Sequence, residues 1–405
     1  MKKYFVLLCF MFLMHNVSAQ SLLDIYKKGV VKLAPDSEYG KGNDWEKVFA
    51  AYLGETETHN RSIVMMPNGS VVVNYSRNAH PFYTMFDANG KFVKEFGMTN
   101  QSGKRERNVH RIEGVINNNF FTVGDNMGKI NFMDFSGNLV KTVTVDWQTL
   151  DMIPMSNNKI AIVGSTSWGD RQRYFVTILD YQTNQQKMIW DNFKKHEIIS
   201  VGTGSGMVMF STGANVRPCI AFANNQLIVA LPNSGEILFY DINGTLKSKQ
   251  KVDWQQKFLS VSEQKENEKK AIERATARRK ELQESGNTKR ETVTMMDNLI
   301  QARRANLEQI KDPKPLPLFA NVIKDSDGNL LFFEVPEKEG ANQFNVWIFQ
   351  NGGKFVAKSS FVCDDFDLSI MPSRMVFHNG YIYALQTLKS TSGNPLRLVR
   401  FKVSN

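Results

Sequence analysis

The sequence VDWQ occurs twice in this chain, at Val145–Gln148 and again at Val252–Gln255. Each copy begins eight residues after a glycine, Gly137 or Gly244, that lies in a turn-forming sequence. Four residues can recur by chance, so the shared distance from the turn carries more weight than the match. Equal spacing from a turn sets the same side-chain register in both places, which indicates two equivalent units of a repeating fold.

Tight-turn sequences recur along the chain, each preceded by two apolar residues and usually by an aspartate. The segments are MFDANGK (85–91), FMDFSGN (132–138), ILDYQTN (178–184), FYDINGT (239–245) and IFQNGGK (348–354). Aspartate at the first turn position accepts hydrogen bonds from backbone N–H groups two residues on, and Gly or Asn tolerates the positive φ of a hairpin. The pattern predicts β-hairpins, although Gln350 replaces the aspartate in the last segment.

A second set of turn sequences lies upstream of these, and short runs of β-branched and aromatic residues follow it, as is typical of strands. These turns are at 67–69, 117–119, 157–158, 224–225, 327–329 and 378–380. The repeating unit is therefore strand, tight turn, strand, longer loop, strand, tight turn, strand. Six such units average about 47 residues, the size of a propeller blade. We predict an all-β, six-bladed β-propeller in which VDWQ ends the fourth strand of blades two and four, with its Val and Trp packed on the next blade.

The two ends of the chain predict how the ring closes. The last unit offers three strands only, at Ser373–Phe377, Tyr381–Leu385 and Leu396–Val403, while Val30–Ala34 has no hairpin partner. An unfinished blade leaves edge groups unpaired, so we expect Val30–Ala34 to be the outer strand of the sixth blade. A short amphipathic helix at the ring edge is expected from the helical spacing of Trp45, Val48, Phe49, Tyr52 and Leu53.

At this point the chain resembles the NHL-like six-bladed β-propellers exported by Gram-negative bacteria. The similarity rests on VVKLAP (30–35), YGKGNDWEKVF (39–49), PNGSVVV (67–73), FDANGKFVKEFG (86–97) and DSDGNLLFF (325–333). It covers most of the chain after residue 20. The resemblance implies sheets that radiate from a central channel, and it implies no catalytic residues.

The first residues have the layout of a secretory signal peptide cleaved after Ala19. Lys2 and Lys3 are followed by the apolar stretch Phe5–Leu13 and by the small-residue exit at Val17–Ala19. The apolar stretch is shorter than the roughly 20 residues that a membrane span needs. We therefore expect an exported protein, either periplasmic or at the cell surface.

Net charge narrows the classes of partner, and the cysteine content bears on whether a disulfide forms. The formal net charge is +10, and a dispersed basic surface favours anionic partners. Nucleic acid is not expected, because no recognised aromatic–basic motif occurs. Cys219 and Cys363 are expected to be two buried thiols, with a disulfide as the alternative.

A charged segment interrupts the repeats and predicts a helical hairpin. Its helices are expected at Ser262–Glu284 and Glu291–Lys311, and Pro313 ends the second. The hairpin is either a solvated decoration of its own blade or an arm that binds a partner or covers the channel. The expected organisation is a signal peptide (1–19), a closing strand and helix (20–60), blades one to four (61–252), the hairpin insertion (253–315) and blades five and six (316–405).

Seven polar residues in the expected long loops are candidates for a binding site at the channel mouth. They are His80, Arg107, His110, Asp125, Asp170, Arg171 and His196. The three histidines would suit a metal with an open coordination position if they converge, although no HExxH-type spacing occurs. Each side chain taken singly is also compatible with a solvated loop. The sequence identifies no cofactor.

Function remains open among three hypotheses. The first is a non-enzymatic binding or scaffold protein that recognises a protein, peptide or glycan through its long-loop face and helical arm. The second is a metal-dependent hydrolase or lyase with its site at the central channel. The third is a structural part of a larger envelope assembly. No nucleophile elbow, phosphate-binding loop or dinucleotide motif occurs to select among them.

Overall fold

A computed structural model of the chain describes most residues after the first twenty. The described ranges are 21–49, 62–77, 80–99, 102–104, 109–124, 128–168, 171–195, 198–202, 208–211, 216–284, 290–335, 343–367, 375–388 and 396–404. The chain is mostly β-strand, with few helices. Within these ranges no helix combines the length and the apolar character that a membrane crossing requires.

Four sheets have the same plan, in which four antiparallel strands lie side by side in chain order. The first contains β2 (Ser62–Met65), β3 (Val71–Arg77), β4 (His80–Phe86) and β5 (Phe92–Phe96). The second contains β6 (Val109–Ile116), β7 (Asn119–Gly124), β8 (Lys129–Asp134) and β9 (Leu139–Thr144). The third contains β10 (Gln148–Pro154), β11 (Lys159–Trp168), β12 (Arg171–Asp180) and β13 (Gln186–Lys195). The fourth contains β16 (Cys219–Ala223), β17 (Gln226–Leu231), β18 (Glu236–Asp241) and β19 (Leu246–Lys251).

A nine-stranded sheet joins two further meanders through the N-terminal strand β1 (Val30–Pro35). One meander contains β22 (Asn321–Lys324), β23 (Leu330–Phe333), β24 (Gln343–Phe349) and β25 (Phe355–Val362). The other contains β26 (Phe366–Asp367), β27 (Met375–His378), β28 (Tyr381–Leu388) and β29 (Leu396–Ser404). β1 pairs antiparallel with β29, which confirms that Val30–Ala34 completes the C-terminal meander. It also pairs in parallel with β25, a second partner that the sequence did not predict.

One strand from each meander contacts the corresponding strand of the next, and these contacts close into a circle. β2 contacts β6, β6 contacts β10, β10 contacts β16, β16 contacts β22, β22 contacts β27, and β27 contacts β2. The tight turns that follow β16, β22 and β27 meet on one side, because Gly380 N–H donates to Ser326 Oγ at 2.8 Å and the Asn224 side chain donates to the Gly328 carbonyl at 3.4 Å. Apolar clusters fill the spaces between adjacent meanders, as in a ring of packed sheets.

The turn chemistry follows the sequence prediction. The Oδ1 atoms of Asp87, Asp134 and Asp241 each accept the backbone N–H groups two and four residues further on. The paired asparagines at 117–118, 157–158 and 224–225 have positive φ. Each hairpin therefore closes by the side-chain and backbone preferences that its sequence encodes.

Both VDWQ segments lie just outside the strands to which we assigned them. β9 ends at Thr144 and β19 at Lys251, one residue before each copy. Backbone pairing nevertheless continues to the first residue of each copy, since Val145 N–H donates to the carbonyl of Gly128, and Val252 N–H donates to that of Gly235. The expected packing is present, since Trp147 contacts Phe175 of the third sheet with ring centroids 5.2 Å apart, and Trp254 packs on the aromatic residues of β22–β25 and the residues before them.

Two short helices hold the N-terminal segment against the ring. α1 (Leu22–Tyr26) buries Tyr26, whose hydroxyl donates to Asp325 at 3.1 Å, while Ser359 donates to its carbonyl. α2 (Trp45–Val48) is the described part of the helix predicted near the ring edge, and Phe49 after it is fully buried. The remainder of that prediction, Tyr52 and Leu53, lies outside the described residues, as does the expected signal peptide.

Two long helices follow the fourth sheet and lie close to the ranges expected from sequence. They are α3 (Val261–Glu284) and α4 (Arg290–Gln309), and they pack against each other. Ion pairs join them at Arg279–Asp297 and at Glu268–Arg303, the latter at 3.1 Å. A two-residue ladder, β20 (Phe258–Leu259) with β21 (Lys314–Pro315), closes the base of this helical arm. α4 packs against a hairpin in the preceding connection, β14 (Ile198–Val201) with β15 (Val208–Ser211).

Cys219 and Cys363 are both buried and form no disulfide, so the expectation of two buried thiols is confirmed. Burial raises the pKa of Cys219 to about 12, which leaves the sulfur as a neutral packing group.

Candidate functional site

A cavity of about 480 Å³ occupies the centre of the circle of six strands. Its wall is mainly aliphatic, with residues from every one of the six strands, including Ile63, Ile153, Ile220, Ile323 and Val376. Five polar or charged side chains interrupt this wall, namely Ser62, Glu113, Asp151, Lys324 and His378. A concave apolar site with a few converging polar groups is the usual form of a small-ligand pocket.

Two β-bulges bring polar groups to this wall from neighbouring strands. In β6 the pairing moves from Ile112↔Thr122 to Gly114↔Phe121, so Glu113 is an extra residue without a partner in β7. In β10 the pairing moves from Thr149↔Gly164 to Asp151↔Val163, so Leu150 is extra. A bulge changes the direction in which nearby side chains point, and here it directs Glu113 and Asp151 to the cavity.

Gly114 allows the first bulge to form. A Cβ at this position would lie 2.6 Å from Cζ of Phe121 and 3.1 Å from Cδ of Pro154. No other residue fits between these groups without displacing a buried ring, which explains a glycine inside a strand.

Hydrogen bonds hold the bulges together. Arg111 Nε donates to Glu113, and its Nη2 donates to the Leu150 carbonyl at 2.9 Å. Arg217, in the segment that leads into β16, donates to the same carbonyl at 3.1 Å. Three consecutive meanders therefore meet at one backbone oxygen. The two guanidinium groups lie beside the two carboxyl groups, while only the carboxyl-bearing residues belong to the cavity wall.

Glu113 has the most strongly altered acidity at this site. Its side chain is 4% exposed, and burial raises its pKa from 4.5 to about 7, with the charge of Asp151 adding to the effect and Arg111 and Arg217 opposing it. A carboxyl group that titrates near neutrality inside a cavity is typical of binding and catalytic sites.

This shift predicts how the free energy of unfolding depends on pH. Because the folded state holds the Glu113 proton more tightly than the unfolded state, its contribution is complete below pH 4.5 and is lost as the pH rises to about 7. The upper limit of the change is about 3 kcal/mol. Urea unfolding of the native chain and Glu113→Gln between pH 4.5 and 7.5 should show the native chain losing stability relative to the variant. A constant difference across that range would contradict the assigned shift.

At the tight-turn end of the cavity the polar groups are basic. Lys324 ends β22 and His378 ends β27. Desolvation by the surrounding wall lowers the pKa of Lys324, although part of its side chain reaches solvent. Among the described residues Lys324 has no ion-pair partner, so its ammonium group is free to meet an anion at this end of the cavity.

None of the seven residues proposed from sequence has a described side chain. Arg107, Asp125, Asp170 and His196 are outside the described residues, and for His80, His110 and Arg171 only the backbone, in β4, β6 and β12, is described. Their convergence at the channel mouth therefore stays a prediction. In the described part of the chain no three His, Cys, Asp or Glu side chains are grouped to hold a metal ion.

Arg111, Glu113, Asp151 and Arg217 were not singled out from sequence. The available signal was RIEG at 111–114, in which two charged residues and a glycine occupy a strand expected to be innermost. Charged residues are rare in such strands unless they are paired. The pairing itself depends on Leu150 and Arg217, which come from other meanders.

Comparisons with known proteins find similarity to solved structures alone, and at low identity. No protein-family model matches the chain, and no curated protein does either. Among solved structures, a luciferin-regenerating enzyme matches 93% of this chain and 95% of its own, with 8% identity and a TM-score of 0.43. Regucalcin, a calcium-binding protein from Agrobacterium tumefaciens, matches 85% and 88%, with 6% identity and a TM-score of 0.40. BamB from Moraxella catarrhalis matches 84% and 81%, with 10% identity and a TM-score of 0.32.

These neighbours are β-propeller proteins. The overlaps are loose, and the ring described above rests on the strand pairings and strand contacts of this chain itself.

Proposed function

We propose that the protein is an exported, NHL-like six-bladed β-propeller that binds a ligand in its central cavity without converting it. The observation that supports this most is the pair of facing β-bulges, which place Glu113 and Asp151 on an otherwise aliphatic wall. A bulge disrupts the strand ladder, so two at one cavity favour a binding role over a purely structural one. The volume of about 480 Å³ is in the range of small-ligand sites.

The six-blade assignment follows from the circle of β2, β6, β10, β16, β22 and β27. Blades one to four take residues 61–252, and blades five and six take 316–405. β1 in segment 20–60 is the closing strand, and 253–315 is the inserted helical arm. Residues 1–19 are assigned to the signal peptide that directs export.

We assign a second surface, formed by the long loops and the helical arm, to a protein, peptide or glycan partner. α4 packs against the β14–β15 hairpin. The hairpin and the arm each lie in a connection from the last strand of one sheet to the first strand of the next. In an antiparallel meander such connections are expected on the side opposite the tight turns. α3 has 24 residues, of which only Glu268 and Ala275 are buried. The ring has little need of such a helix, and long insertions of this type are commonly functional.

Capture from a native envelope extract tests the two surfaces separately. The three baits are the full chain, a chain with residues 262–310 replaced by a short Gly/Ser linker, and the double variant Glu113→Gln, Asp151→Asn. We expect the double variant to lose a small ligand and keep the macromolecular partner, and the armless chain to do the reverse. Mass spectrometry of the bound fractions gives the result.

Two outcomes would contradict this function. If all three baits retain the same molecules, neither surface is the binding site. If the purified full chain carries a stoichiometric metal that is lost on substitution of His80, His110 and His196, the alternative of a metal-dependent hydrolase or lyase at the channel is favoured.

A further inference from the structure

Polar side chains of the cavity lie in two layers along its axis. Ser62, Glu113 and Asp151 each precede the last residue of their innermost strand by three positions. Lys324 and His378 are themselves the last residues of theirs. The tight turns after β16, β22 and β27 meet on one side, and Gly114 and Pro154 bring the ends of β6 and β10 side by side. Strand position therefore serves as a measure of depth. At about 3.3 Å per residue, the layers are about 10 Å apart.

The deeper layer presents acceptors. Glu113 and Asp151 contribute carboxyl groups from adjacent strands, and one oxygen of Glu113 already accepts from Arg111. Ser62 is 1% exposed, and its hydroxyl has no hydrogen-bond partner among the described residues. A buried hydroxyl without a partner costs about 1–3 kcal/mol, so its place on the cavity wall points to a bound polar group that satisfies it. Acceptors of this kind suit an ammonium group.

The layer near the tight turns presents donors. Lys324 carries an ammonium group without an acidic partner in the described part of the chain, and the imidazole of His378 lies on the same wall. Lys324 is a suitable partner for a carboxylate. Between the two layers the wall is aliphatic, with Ile63, Ile153 and Ile323 among its residues.

We infer that the cavity binds a short linear peptide of small or aliphatic residues, with its amino terminus at Ser62, Glu113 and Asp151 and its carboxylate at Lys324 and His378. An extended chain spans at most about 3.3–3.6 Å per residue, so three residues match the separation of the layers. The aliphatic wall accommodates the side chains between the two ends. This inference rests on the proposed binding function and adds the class of ligand.

The test uses trialanine and its blocked forms with the full chain. N-acetyl-trialanine lacks the cation and trialanine amide lacks the anion, while the length is nearly unchanged. Isothermal titration calorimetry should show binding of trialanine and at least tenfold weaker binding of each blocked form. Asp151→Asn should remove most of the discrimination against the acetyl form, and Lys324→Met most of that against the amide. Lys354→Met, at an exposed position outside the cavity wall, is the matched control and should change neither.

The possible results separate the ligand class from the cavity itself. Equal binding of trialanine and both blocked forms would overturn the two-ended recognition while the cavity remained a binding site. Failure of trialanine to bind the full chain would also overturn it, and the extract capture described above would then decide whether the cavity binds anything. Thermal melting of each variant distinguishes a loss of binding from a loss of folding.

Discussion

A chain lacking residues 20–35 is expected to lose most of its cooperative thermal transition. β1 supplies backbone partners to β25 on one side and to β29 on the other, so its removal leaves two strand edges unpaired. Tyr26, Val31 and Leu33 are buried within the same segment, and each contributes about 1.5–3 kcal/mol of apolar burial. The combined contribution of these three side chains is comparable with the total stability of a typical domain, about 5–15 kcal/mol. Differential scanning calorimetry of the truncated and native chains measures the effect.

Two neighbouring substitutions supply a matched comparison within this strand. Val31 is fully buried, whereas Val30 is 48% exposed on the opposite face. Val31→Asp places a carboxyl group in an apolar core and should cost about 4 kcal/mol or more. Val30→Asp makes the same chemical change toward solvent and should cost no more than about 1 kcal/mol. Equal losses in urea unfolding would mean that β1 does not pack as described.

Gly128→Ala is expected to destabilise the second meander by about 3 kcal/mol or more. Gly128 has a φ of +100°, and a Cβ there would lie 2.3 Å from the carbonyl oxygen of Val145. The two backbones cannot separate easily, because the Gly128 carbonyl accepts the Val145 N–H at 2.7 Å. The variant must therefore break this contact, which positions Trp147 against the third meander.

Gly352→Ala separates the steric effect from the cost of positive φ. Gly352 has a φ of +78°, and a Cβ added there would have no neighbouring atom within 4 Å. The left-handed conformation alone should cost about 1–2 kcal/mol. Urea unfolding of both variants tests the difference. If Gly128→Ala were no more costly than Gly352→Ala, the contact between Gly128 and VDWQ would have no structural role.

The hairpins and the closing strand could be predicted from sequence because their determinants are local or repeated. The Asp134 carboxylate accepts hydrogen bonds from backbone N–H groups of its own turn. Val30–Ala34, which has no hairpin partner near the N-terminus, matched the strand missing from the C-terminal unit. Gly128 and Gly235 each precede their VDWQ by seventeen residues, so the equal spacing of the two backbone contacts was also present in the repeat. The contacts themselves were not foreseen, since they require knowing which backbone segments pair.

The candidate site could not be predicted in the same way. A bulge at Glu113 exists only relative to the register of β7, and the Leu150 carbonyl becomes an acceptor only after three meanders come together. Seven loop residues were chosen from sequence on the principle that loops carry function. The polar groups that the described structure brings together lie instead on the innermost strands, where a sequence pattern mainly indicates core.

The double pairing of β1 also has a consequence for the order of folding. Val30 pairs with Ser360 and Lys32 with Ser404. The first strand in the sequence therefore cannot form these pairs until the last strands have been synthesised. Contacts between such distant parts of a chain form slowly. Until the last strand has been synthesised, the chain is therefore an open arc with two unpaired strand edges.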